Sequence, residues 1–80
     1  MKKWYNGLFS IKQWLDEDKE DYDFYGLGCQ VEAEDKETAR MAMCMEVAKF
    51  GRLETEFGIS YTWEGFCTED EFDIMGVDVI

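Results

Sequence analysis

Ten consecutive residues, Glu54 to Trp63, alternate in side-chain character. Thr55, Phe57, Ile59, Tyr61 and Trp63 share one face, with Glu54, Glu56, Gly58, Ser60 and Thr62 on the other. A period of two makes a half-buried strand. Such a strand is stable only within a sheet whose apolar face is covered, so the rest of the chain must supply both the partners and the cover. A second row, Tyr25, Leu27, Cys29, Val31 and Ala33, alternates with Gly26, Gly28, Gln30 and Glu32. Its two glycines either weaken this strand or mark a close backbone approach.

The segment between these rows changes period. Asp35 suits an N-cap, Glu37 the positive first turn, and Gly51 a stop after the last periodic residue; Lys49 and Arg52 favour the C-terminal dipole. The spacing predicts a helix from about Lys36 to Phe50. Ala39, Met43, Val47 and Phe50 fall on its core stripe at 100° per residue. Met41, Met45 and Ala48 fall together on the far side, with Cys44 on one flank.

Two stretches read less plainly. Phe72 to Ile80 alternates with a phase slip at Met75-Gly76, which a bulge at Gly76 reconciles. With turn residues at Glu64-Gly65 and Cys67–Asp70, it is expected to form an antiparallel hairpin with the preceding strand. Near the N-terminus, Ser10 to Gln13 matches a capping box, and Ile11, Trp14 and Leu15 sit at helical spacing. The same stretch also alternates as a strand would. A short helix from Ser10 to about Asp18 is the preferred reading, with Asn6-Gly7 as a tight turn before it. The expected fold is one α+β domain over residues 1–80: an antiparallel sheet of three or four strands, one long helix packed on one face, and a short N-terminal helix.

Charge narrows the function. Nineteen Asp and Glu oppose eight Lys and Arg, for a net charge of −11, while 46% apolar residues exclude a disordered acidic tail. Such a surface repels nucleic acid and anionic membranes and attracts basic proteins. The expected partner is a basic nucleic-acid-binding protein or complex, with no direct nucleic acid and no membrane. Excess acid that serves only solubility is the plain alternative. Lys2-Lys3 precede no uninterrupted apolar run, so no signal peptide is expected. Cys29, Cys44 and Cys67 form no CxxC and are read as reduced thiols of a cytoplasmic protein.

Catalysis is not expected. The chain has no histidine to act as base or to activate a thiol, and no phosphate-binding or zinc-protease motif. No cofactor is expected either. Residues 16–23 hold six carboxylates, yet the sixth position of a calcium loop counted from Asp16 is Asp21 and the twelfth is Leu27, where Gly and Glu are required. No metal site is expected.

Three acidic groups are the main candidates for partner binding: Asp16, Glu17, Asp18, Glu20, Asp21 and Asp23; Glu32 and Glu34, next to Asp35; and Glu69, Asp70, Glu71 and Asp73. Gathered in one row, carboxylates two strand residues apart lie ~6.6–6.8 Å from one another, close to the ~7 Å between phosphates of a DNA strand. The alternative is loop charges with no common direction. The second candidate is the Met41, Cys44, Met45 and Ala48 face, either an interface with a partner or a second copy, or a surface buried by the N-terminal segment with Trp4, Trp14 and Leu15.

The start MKKWYNGLFSIKQW and the stretch EDKETARMAMCMEVAKFG, in an acidic, histidine-free chain with a lone Met- and Ala-rich helix, resemble small phage-encoded anti-CRISPR proteins that act on type I-C systems. These proteins share no diagnostic motif, so no binding residue carries over. The resemblance implies an inhibitor, made in the bacterial host cell, that binds the basic RNA-guided surveillance complex and blocks target DNA access.

Overall fold

In the computed structural model, which describes residues 1–80, the chain runs β1 (Lys3–Trp14), β2 (Tyr22–Ala33), α1 (Lys36–Glu54), β3 (Ile59–Cys67), α2 (Glu69–Met75), β4 (Asp78–Val79). The fold is α+β, with one four-stranded sheet in the order β3-β1-β2-β4 and the long helix α1 packed on it. The sheet is mixed, because β4 runs parallel to β2 while β1 is antiparallel to both β2 and β3.

The N-terminal stretch is a strand, not the expected helix. β1 and β2 pair over their whole lengths, from Lys3 opposite Ala33 to Trp14 opposite Tyr22. This register puts Phe9, Ile11, Leu27 and Cys29 on one face, where all four are fully buried beneath α1. A helix over 10–18 would instead carry Asp16–Asp18 and leave Phe9 unpaired. Cross-strand burial of a Trp-, Tyr-, Phe- and Ile-rich segment overrides the local capping signal.

The helix begins as expected: the Asp35 carboxylate accepts the Thr38 backbone N–H at 2.8 Å. It does not stop at Gly51 but continues to Glu54. Gly51 is buried at the crossing with β3, where a Cβ would strike the Ile59 side chain. Its glycine therefore reflects close packing rather than termination. Residues 54–58 close the helix and turn the chain, so β3 starts later than the alternation suggests and runs to Cys67. Its ladder with β1 slips one residue at Glu64-Gly65, a bulge where the sequence suggested a turn.

The C-terminal stretch departs most from expectation. Residues 69–75 form α2, not the first half of a strand, and no hairpin joins them to β3. The Glu71 carboxylate accepts the Thr68 hydroxyl at 3.1 Å and its backbone N–H at 3.4 Å, the acidic half of a capping box. Gly76 ends the helix in the left-handed region (φ 65°), its N–H donating to the Phe72 carbonyl at 2.9 Å. The phase slip at Met75-Gly76 is thus a helix stop rather than a bulge. Phe72 and Val77 then settle on the sheet face opposite α1, over Gly28 and Gly26.

Candidate functional site

The hairpin register decides where the carboxylates go. Asp16, Glu17, Asp18, Glu20 and Asp21 lie in the loop joining β1 to β2. The Leu15 N–H donates to the Asp21 carbonyl at 3.0 Å and the Glu20 N–H to Asp16 Oδ1 at 2.8 Å, while Lys19 takes a left-handed conformation. Asp16 is spent holding the loop; the other four carboxylates are exposed. Asp23, the second residue of β2, stands opposite Gln13, whose Oε1 accepts the Tyr25 hydroxyl at 2.7 Å. Burial raises the Tyr25 pKa, and the negative charges of Asp23 and Asp78 raise it further.

Glu32, near the other end of β2, and Glu34, just past it, lie nine and eleven residues beyond Asp23, a span of roughly 29–37 Å at strand rise. The molecule is 45 Å long in its greatest dimension. α2 starts at this second end, because Cys67 pairs with Asn6 and delivers Glu69 beside Trp4, Asn6 and Gln30, with which it lines a cleft of about 310 Å³. The helix runs back to mid-strand, where Phe72 lies over Gly28. Two of the three acidic groups are therefore brought to one end, and the third is held at the opposite end. They do not form one continuous row along a strand. No three carboxylates or thiols are arranged to hold a metal ion.

The helical side has a different character. Residues 36–54 carry four basic and three acidic side chains, so the whole excess of negative charge lies outside α1. Met41 and Met45 are 63% and 72% exposed, with Cys44 and Ala48 half-buried beside them. The N-terminal segment is part of the sheet and does not cover this face. Cys29, directly beneath the helix, has its thiol pushed up to about 11 by burial, with the Glu46 charge and Cys44 adding to it. Burial, then the Glu71 charge, also raises Cys67.

A third surface escaped the sequence reading. Even-numbered residues of β1 and β2 face away from α1, and α2 covers only the part of that face around Leu8, Gly26 and Gly28. Towards the hairpin loop the face is bare. Trp14 meets Tyr22 edge-on at 5.6 Å, Lys12 Nζ sits 4.8 Å from the centre of the Tyr22 ring, and Phe24 lies open opposite Lys12. The signal was present as period-two character starting at Tyr22, three residues before the row recognised from Tyr25.

Fold and surface together define a small α+β protein with acid at both ends of a long hairpin, apolar side chains exposed on both faces, and a helix of balanced charge. Comparison with family models, with curated proteins and with solved structures gives no match.

Proposed function

We propose that the chain is an acidic binding inhibitor that occupies a basic nucleic-acid channel on a CRISPR surveillance complex and keeps target DNA out. The observation that carries this reading is the charge distribution: the negative excess lies outside α1 and is concentrated at two ends separated by roughly the length of β2. That separation is close to one turn of duplex DNA, ~34–36 Å, the interval at which a groove built for DNA meets the same backbone again. The mimicry would be of two phosphate clusters one turn apart rather than of consecutive phosphates. Charges at the rim would speed and orient association, while buried apolar contacts would set the lifetime of the complex. Reversing Asp18, Asp21 and Asp23, or Glu69 and Asp70, should weaken inhibition and leave the fold intact by circular dichroism. Full inhibition by both variants near stoichiometric concentration excludes the decoy mechanism.

A second reading rests on the exposed Met41 and Met45 side chains: a non-catalytic interaction module, or a homodimeric phage accessory protein, joined through α1. Small soluble proteins that leave such side chains together on one helix often use them as an interface. Met45→Glu should convert a dimer to monomer in light scattering without altering either acidic end. An unchanged mass removes this face from consideration.

A further inference from the structure

The bare half of the sheet, opposite α1 and next to the hairpin loop, has no use in the fold. Tyr22 and Phe24 are 47% and 65% exposed, beside half-buried Trp14. Phe72 and Val77 cover the middle of the same face, over Gly28 and Gly26, and Trp4 is exposed again at its far end. The adjoining loop adds the carboxylates of Glu17, Asp18, Glu20 and Asp21. One cation already uses this surface, since Lys12 Nζ lies over the Tyr22 ring.

We propose that this surface, Trp14, Tyr22 and Phe24 with the acidic loop at its edge, binds an arginine-bearing segment of a basic protein. It deepens the reading above, on which it rests, by naming the working end of the molecule and the side chain it selects. A guanidinium is planar and weakly hydrated; it stacks on aromatic faces and still offers paired N–H donors to a carboxylate. The surface provides both an aromatic plane and carboxylates at its rim. A lysine ammonium is a strongly hydrated point charge and gains less from the rings. A second copy of this chain is a poor occupant, because it would bring two acidic loops within a Debye length of ~8–10 Å.

Two peptides of equal length and charge, one with arginine and one with lysine at the same positions among glycines, distinguish the cases when titrated into the isotopically labelled full chain. Arginine should bind several-fold more tightly and move the amide signals of residues 12–24. Phe24→Ser, an exposed change that spares the core, should lower arginine affinity roughly two- to fivefold and lysine affinity less. Equal affinity of the two peptides, an unchanged Phe24→Ser, or signals moving at Glu69–Asp73 instead would overturn the assignment. A surveillance complex bound equally well by Phe24→Ser and by the parent chain would leave the inhibitor reading standing and remove this surface from it. Arginine selectivity without any binding to the surveillance complex would do the reverse.

Discussion

Gly28 shows how a single side-chain hydrogen can hold two elements together. A Cβ there would lie 2.7 Å from the Phe72 ring, so the sheet and α2 meet only because glycine leaves the space. Gly28→Ala should cost about 1–3 kcal/mol by forcing the ring aside. In hydrogen exchange the loss should appear first in residues 69–76, with the β1–β2 ladder protected. Asp35 makes a second point at this scale. Its carboxyl sits below the ordinary aspartate range because it accepts the Thr38 N–H. The stability this adds is present above the unfolded value of ~3.9 and is lost as pH falls through the lower folded value. Asp35→Asn keeps an acceptor at the cap and should remove that part of the acid dependence, seen as a flatter melting-temperature profile below the carboxylate range. Cys29 is buried and protonated at neutral pH, so its alkylation should be slow in the native protein and rise to the free-thiol rate in denaturant.

Among the elements, α1 depends on a narrow stripe. Met43 and Val47 are fully buried against Phe9, Ile11, Leu27 and Cys29, and Met43→Ala should cost roughly 2–5 kcal/mol in urea unfolding. The start and core stripe of this helix were legible in the sequence, because cap chemistry and 3.6-residue periodicity are local. The row in β2 and the Ile59–Trp63 half of the row in β3 were legible as local alternation, while Glu54–Gly58 alternates in the same way but belongs to the helix end and turn. What was not legible lies where local signals compete. Ser10–Gln13 carries a helix cap, but the chain there is claimed by pairing with residues 23–26, information held at a distance. Thr68–Glu71 and Gly76 carried helix start and stop signals that the alternation of Phe72 and Ile74 obscured, and Ile74 is in fact 83% exposed. Gly51 looked like a stop and is a contact point. Whether the carboxylates form one row was left open by the sequence, since it depends on the β1–β2 register and on where α2 docks, neither of which is a local signal.

For the whole molecule, the arrangement of charge matters more than its amount. A long hairpin carries acid at its tip, and a short helix brings more to its base. The charge-balanced helix, α1, stays on one side. On the proposed reading the molecule would meet a basic channel end-on or lengthwise, and either approach would be salt-sensitive in a way that contact through Met41 and Met45 would not. The central claim is therefore tested most directly by retention of a purified type I-C surveillance complex on the immobilised chain, at low and at high salt, with target DNA as competitor. The account predicts retention at low salt that weakens as salt rises and is displaced by DNA. No retention at either salt, or retention indifferent to both salt and DNA, would contradict it.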